Sequence, residues 1–153
     1  GLVGGHCLPV DPYYYSTYAK KFGIKTDIIL SGRKINNSMY KFMYNKLIKE
    51  IKKNKKISKN SKILILGLTY KKNVSDIRNS YALELYKLLK KKYKYLQVCD
   101  PLLTNKKIEN IKILNDFSAI KYDLIINMVN HDLFKTKILN IKKNKKIHYL
   151  ELF

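Results

Sequence analysis

The residues best suited to chemistry lie near the start of this sequence. Gly4 and Gly5 precede His6 and Cys7, and Asp11 follows four residues after the cysteine. A thiolate is a strong nucleophile, and adjacent glycines let the backbone bring a substrate close. A carboxylate at this spacing can orient a water molecule or accept a proton beside the sulfur. The pattern suggests covalent catalysis by Cys7, although a lone cysteine is more often a buried apolar side chain.

The charge raises a second possibility, which is nucleic-acid binding. The net charge of the 153 residues is +21, but Arg33 and Arg78 are the only arginines among 32 basic residues. Arginine is the residue preferred for paired contacts to phosphates and bases. Lysine, asparagine, isoleucine and tyrosine share A/T-rich codons, which favours nucleotide bias at solvated positions. We therefore expect salt-sensitive contacts with polyanions and no specific nucleic-acid partner.

The same sequence gives expectations about compartment and completeness. No signal peptide is visible in it, and no apolar run approaches the roughly 20 residues of a membrane span, so we expect neither. Two cysteines without export signals indicate a reducing cytoplasm, no membrane association and no disulfide scaffold, and we expect no metal site. Because the chain opens at Gly1 inside a glycine-rich run, we expect it to be a fragment.

Two helices are expected to hold the glycine-cysteine loop. Asp11 and Pro12 predict a helix start with Asp11 as the N-cap, and Gly23 is expected to end that helix. Asp27 is predicted to cap a second helix over residues 27–53, which has an apolar stripe. The lysine-asparagine run that follows is a candidate hinge between two domains.

After this hinge the spacing of apolar residues changes from one typical of a helix to one typical of a strand. Strands are predicted at 63–66, 96–99, 111–114, 124–128 and 147–152, a helix at 80–92 and a helical turn at 131–137. Alternating strands and helices predict an α/β fold, in which a Rossmann-like parallel sheet follows a helical segment. The predicted domains are residues 1–57, with the catalytic-cysteine loop and helices, and 58–153, with the sheet.

Several segments occur in a fixed order along the chain, namely residues 1–14, 28–39, 64–71, 73, 76–80, 100–101 and 130–134. Together they resemble the C-terminal part of the UDP-glucose/GDP-mannose dehydrogenase family. His6 before the cysteine and Val-Asp-Pro-Tyr-Tyr at 10–14 resemble the branch that acts on UDP-N-acetylhexosamines. The resemblance covers nearly the whole chain, which raises the functional interpretation of Cys7 above the packing one.

The resemblance implies an NAD-dependent oxidation of the sugar C6 alcohol to a carboxylate. Cys7 would attack the C6 aldehyde, lose a second hydride as a thiohemiacetal, and release the acid from a thioester. Asp11 matches a carboxylate that positions or activates water. Such enzymes supply precursors of capsule or O-antigen polysaccharide, and the full-length protein is expected to be a homo-oligomer.

The binding residues are assigned by the same resemblance. Gly4 and Gly5 would lie against the sugar, Lys71 matches a basic residue that contacts the nucleotide sugar, and Arg78 matches one that reaches NAD. Gly67 is the only glycine after position 63, so the Gly-x-Gly-x-x-Gly dinucleotide pattern is absent. The NAD-binding domain and a central helix with a lysine and an asparagine are expected upstream, so the fragment alone should be inactive.

Other residues have more ordinary interpretations. Asp76 is expected to order its loop or pair with a base, and Cys99 to be a packed thiol. His131 follows a strand end, where ligands often bind, but a structural role is equally consistent with its position. Residues 13–15, three tyrosines, can serve as core or as an aromatic wall that faces the sugar, and core is the favoured interpretation. An inactive UDP-sugar-binding remnant is the alternative function, with a basic nucleic-acid-binding protein the weakest candidate.

Overall fold

The computed structural model of the protein describes residues 3–103, 108, 110–144 and 146–152. The helices are α1 (Asp11–Lys20), α2 (Asp27–Lys53), α3 (Tyr81–Lys90) and α4 (Lys135–Lys143), and the strands are β1 (Lys62–Leu66), β2 (Tyr95–Cys99), β3 (Ile113–Leu114), β4 (Leu124–Asn127) and β5 (His148–Glu151). Short 3-10 turns at Pro101–Leu103, Ala119–Lys121 and Asp132–Phe134 complete the connections.

The five strands form one parallel sheet in the order β3-β2-β1-β4-β5. Side chains along β1 alternate between two cores. Ile63 and Ile65 pack with α2 and α3 on one face, whereas Leu64 and Leu66 pack with α4 on the other. Apolar residues on both sides of a strand are what a parallel sheet covered by helices requires. The predicted Rossmann-like α/β fold is confirmed.

Helix α2 joins the helical segment to the sheet. Met43, Leu47, Ile48 and Ile51 in its second half belong to the same core as α3 and β1, and Ile51 is 1% exposed. Three apolar side chains of its first half remain at the surface, with Ile28 90%, Leu30 40% and Ile35 64% exposed. Residues on both sides of position 57, the predicted domain boundary, therefore share one apolar core.

The expectation that the tyrosines at 13–15 are core residues is wrong. Tyr13, Tyr14 and Tyr15 are 41%, 71% and 58% exposed, and only Ser16 and Ala19 of α1 are buried. One narrow stripe of this short helix touches α2, and three consecutive helical residues cannot all lie on it.

The helix starts differ from the predicted ones by one residue. Val10 and Thr26 are the N-caps, neither of which makes a capping hydrogen bond through its side chain, and Asp11 and Asp27 are the first helical residues. Both acidic side chains still lie where the positive end of the helix dipole stabilises them. The predicted turn at 131–137 is also too short, because α4 continues to Lys143.

Strand β1 lies between β2 and β4. The strands β2 and β3 are added on one side of β1, and β4 and β5 on the other, so the order of strand addition reverses at β1. In parallel sheets of this kind, ligands bind beyond the carboxyl ends of the strands at such a reversal. Gly67 follows β1 with φ +82°, and a Cβ on it would lie 2.5 Å from Cβ of Val129 after β4. Glycine is required at this position because the two strand ends pass so close together.

Candidate active site

The glycine-cysteine loop is attached to the loop at residues 69–79. The N–H of Gly5 donates to the carbonyl of Arg78 at 2.9 Å, and Nδ2 of Asn79 donates to the carbonyl of Gly5 at 2.8 Å. A Cβ on Gly4 would lie 2.7 Å from the carbonyl oxygen of Asn79, and one on Gly5, at φ +94°, 2.9 Å from the ring of Tyr70. Because these glycines have no side chains, the glycine-cysteine loop can pack closely against the loop at residues 69–79. Gly1 and Leu2 lie outside the described residues.

Cys7 is a free, exposed thiol just before α1. Its carbonyl accepts hydrogen bonds from the N–H groups of Val10 and Asp11 at 2.8 and 2.9 Å, which turns the chain into the helix. Nδ1 of His6 lies 3.4 Å from its sulfur. An exposed thiol beside an imidazole is accessible to a substrate carbonyl, and a proton can pass between the two side chains.

The second thiol has the opposite environment. Cys99 is fully buried at the end of β2, and burial raises its pKa to about 12. A thiol in this state is not a nucleophile near neutral pH.

Asp11 lies one helical turn beyond the cysteine. Its side chain is exposed, and in the part of the chain that the structure describes no hydrogen bond or ion pair engages its carboxylate. The carboxylate is therefore open to a water molecule or a substrate group.

The loop at residues 69–79 carries two of the predicted cations. Lys71 is exposed, with Nζ 5.6 Å from the centre of the Tyr70 ring. Arg78 forms a two-pronged pair with Asp76, at 3.0 Å for Nε and 2.7 Å for Nη2. This pairing lowers the pKa of Asp76 and raises that of Arg78, and the hydrogen bond from the main-chain N–H of Arg78 lowers the pKa of Asp76 further. Asp76 thus both orders the loop and pairs with a base, as the sequence predicts.

A cleft of about 690 Å³ begins just after the cysteine, between α1, α2 and the start of α3. Arg33 lies in its wall, 7% exposed, with one guanidinium nitrogen donating to Asn37 at 3.0 Å and its Cζ atom 6.0 Å from the centre of the Tyr13 ring. Its Nε has no hydrogen-bond partner among the described residues. Arg33 is not among the predicted site residues, although the scarcity of arginine in the sequence was a signal that could have indicated it.

The described ranges contain no group of three histidine, cysteine, aspartate or glutamate side chains arranged to hold a metal ion. No helix in these ranges is long and apolar enough to cross a membrane.

The chain belongs to the UDP-glucose/GDP-mannose dehydrogenase family, and residues 64–149 match the UDP-binding domain of that family. It is 37% identical over 138 residues to the UDP-N-acetyl-D-glucosamine 6-dehydrogenase of Salmonella typhi, covering 88% of this chain and 32% of that protein. The Pseudomonas aeruginosa enzyme of the same name is 33% identical and is matched by 98% of this chain over 36% of its own length. The chain thus spans about a third of the length of these relatives.

Solved structures show the same fold. UDP-D-ManNAc dehydrogenase of Pyrococcus horikoshii superposes with a TM-score of 0.72 at 25% identity, over 99% of this chain and 38% of that one. The UDP-N-acetyl-mannosamine dehydrogenase of Staphylococcus aureus gives 0.64 at 28% identity, over 99% and 37%. The carboxyl ends of β1 and β4 lie in the part of the chain that matches the UDP-binding domain.

Proposed function

We propose that this chain is the C-terminal part of an NAD-dependent UDP-N-acetylhexosamine 6-dehydrogenase, which oxidises the sugar C6 alcohol to a carboxylate. The observation that carries the proposal is the attachment of the exposed Cys7 loop to the 69–79 loop of a UDP-binding domain. The hydrogen bonds of Gly5 with Arg78 and Asn79 hold a nucleophile next to the loop that carries Lys71.

The proposed chemistry uses Cys7 in the second half of the reaction. The first oxidation removes a hydride from C6 and a proton from its hydroxyl, which leaves an aldehyde. The thiolate of Cys7 then forms an S–C bond to this carbon, and the carbonyl oxygen takes up a proton. Loss of a second hydride and of that proton gives a thioester, which water cleaves to the carboxylate and the free thiol. Asp11, with its unengaged carboxylate, orients the attacking water and accepts its proton.

The binding roles follow the same loops. Lys71 binds the nucleotide sugar, since no ion pair with a described residue neutralises its charge. Gly4 and Gly5 are packed against the 69–79 loop, so in this proposal they lie beside the sugar through their main chain and not through the space of a missing side chain.

NAD supplies the acceptor of the two hydride ions, one molecule for each oxidation. The residues of this chain would supply only a small part of the NAD-binding site. Arg78 presents an exposed guanidinium, but the turn after β1 has only Gly67 and so lacks the glycines that cradle a dinucleotide pyrophosphate. The proposal therefore places the main NAD-binding domain in another part of the protein.

The proposal extends to compartment and assembly. The protein acts in the cytoplasm, on precursors of surface polysaccharide, and as a homo-oligomer. The exposed apolar side chains of α1 and of the first half of α2 support assembly, because patches of this kind mark protein contacts.

The test joins this chain to the NAD-binding domain and the central helix of a relative and measures NADH formed from UDP-N-acetylglucosamine and its epimers. Cys7→Ser is expected to abolish formation of the uronic acid, because a serine hydroxyl beside His6 is a far weaker nucleophile than a thiolate. Cys99→Ser is the matched control and should retain turnover. Unchanged turnover in Cys7→Ser would overturn the mechanism. UDP binding with no turnover in any joined protein would favour the alternative, a UDP-sugar-binding remnant.

A further inference from the structure

Three neighbouring strands of the sheet are each followed closely by a polar residue. Thr69 comes after β1, Asp100 after β2 and His131 after β4, and all three are 0% exposed. Nε2 of His131 lies 3.2 Å from Oγ1 of Thr69 and 3.3 Å from Oδ2 of Asp100. Buried polar groups need hydrogen-bond partners, and these three side chains are partners of one another.

The partners determine which nitrogen of His131 carries the proton. Nδ1 lies 2.9 Å from the main-chain N–H of Asn73, which can only donate, so Nδ1 accepts and carries no hydrogen. Thr69 gives its single hydroxyl proton to the carbonyl of Lys71 at 2.9 Å and therefore accepts from Nε2. His131 is thus a neutral imidazole with its hydrogen on Nε2, shared between Thr69 and the Asp100 carboxylate.

Asp100 is itself fixed by main-chain donors. Its Oδ2 accepts from the N–H of Leu68 at 2.7 Å, and its Oδ1 from the N–H of Leu102 at 3.0 Å. The carboxylate therefore has a single orientation, and it fixes the ring of His131 in turn, as a buried carboxylate orients the histidine it accepts from.

The contact with His131 reaches the middle of the 69–79 loop. Asn73 has φ +59° and is bound a second time, since its Oδ1 accepts from the N–H of Asp132 at 3.0 Å. Lys72 adds an ion pair to the Asp132 carboxylate at 2.8 Å. Lys71 lies between two residues, Thr69 and Asn73, that both bond to the same imidazole.

We infer that His131, oriented by Asp100, is a positioning residue that fixes the 69–79 loop in the conformation that presents Lys71 to the nucleotide sugar. The inference rests on the proposed function for the identity of the ligand. Both nitrogens of His131 are engaged within the protein, and the ring is fully buried, so it does not transfer protons in the reaction.

The test uses two replacements of His131 in the whole 153-residue chain. His131→Asn places an amide oxygen near the position of Nδ1 and keeps an acceptor for the N–H of Asn73, whereas His131→Leu fills the space without one. Titration calorimetry with UDP measures the affinity. A buried N–H without a partner costs about 1–3 kcal/mol, so we expect the Kd of His131→Leu to rise about tenfold and that of His131→Asn to stay within about threefold.

Two spectroscopic measurements need no ligand. In nitrogen-15 NMR spectra of the original chain, the hydrogen of the His131 ring should be on Nε2. Amide hydrogen exchange at Asn73 should be faster in His131→Leu and remain slow in His131→Asn.

The outcomes separate the positioning role from the proposed function. A proton on Nδ1, or slow exchange at Asn73 together with unchanged UDP affinity in His131→Leu, would overturn the positioning role. Equal losses in both variants would also overturn it, because they would indicate packing rather than the acceptor. If the original chain binds no UDP but exchange at Asn73 follows the expected order, the positioning of the loop stands and the nucleotide-binding function fails.

Discussion

Alanine substitutions at three glycines of this chain can separate two effects on stability, the strain of a left-handed backbone and the crowding of an added Cβ atom. Gly67 has φ +82° and a close neighbour, Gly23 has φ +71° and open space, and Gly32 has neither a positive φ nor a neighbour within 4 Å. Replacing each with alanine adds the same methyl group in three different settings. We expect the free energy of unfolding to decrease most for Gly67→Ala, less for Gly23→Ala, and to increase for Gly32→Ala.

The magnitudes follow from the geometry. A left-handed backbone costs an alanine about 1–2 kcal/mol, which is the whole penalty at Gly23. At Gly67 the new Cβ would also lie 2.5 Å from Cβ of Val129 and 2.7 Å from its carbonyl oxygen. Carbon atoms in contact prefer about 3.5–4.0 Å, and forced repacking adds about 1–3 kcal/mol. The expected loss for Gly67→Ala is therefore about 2–5 kcal/mol. Gly32 is inside α2, where alanine gains about 0.5–1 kcal/mol.

The assay is urea denaturation of the chain and its three variants, followed by circular dichroism at a fixed temperature. Differences in the free energy of unfolding are calculated from the urea midpoints of variants that have the same slope of free energy against urea concentration. A changed slope would indicate a different denatured state. Equal losses for Gly67→Ala and Gly23→Ala would refute the reasoning, because the ends of β1 and β4 would then separate without cost.

The remaining predictions concern buried side chains and the two thiols. Ile51→Ala should lower the free energy of unfolding by about 2–5 kcal/mol, because this side chain is fully packed; Ile28→Ala on the same helix should change it by less than about 0.5 kcal/mol in urea titrations. A thiol reagent at pH 8 should label Cys7 rapidly and Cys99 only after denaturation, and fast labelling of both in the folded chain would contradict the structure. The pKa of Cys99 is raised to about 12 in the folded chain, so its contribution to stability is complete below pH 9 and is lost as the pH rises toward 12. The decrease in the free energy of unfolding between pH 9 and pH 12 should be smaller in Cys99→Ala.

The sequence predicts the sheet well because its strands are short apolar runs bounded by turn residues. In β4, for example, Leu124 and Ile126 pack on one face of the sheet and Ile125 on the other, and a polar segment begins at Asn130. The helix starts were less predictable. Aspartate is favoured both as an N-cap and in the first turn, and the difference between Val10 and Asp11 is one residue.

The contacts between loops could not be predicted from spacing. The bonds of Gly5 with Arg78 and Asn79 join residues more than 70 positions apart. The cluster around His131 left a usable signal, however. Polar residues shortly after neighbouring parallel strands must meet at one edge of the sheet, and Asp100 and His131 both satisfy that condition. The exposure of Tyr14 was missed because aromatic residues usually belong to a core.

The attachment of Gly5 to the 69–79 loop also bears on how this site can be rebuilt. The joint between the two loops consists of the Arg78 carbonyl, the Asn79 side-chain amide and the Cα atoms of Gly4 and Gly5. A Cβ atom at either glycine would push the loops apart. A chimera that takes the cysteine segment from one relative and the sheet domain from another would carry mismatched halves of this joint. The two loops should be exchanged together, with Tyr70 and Asn79 from the same parent as the glycines.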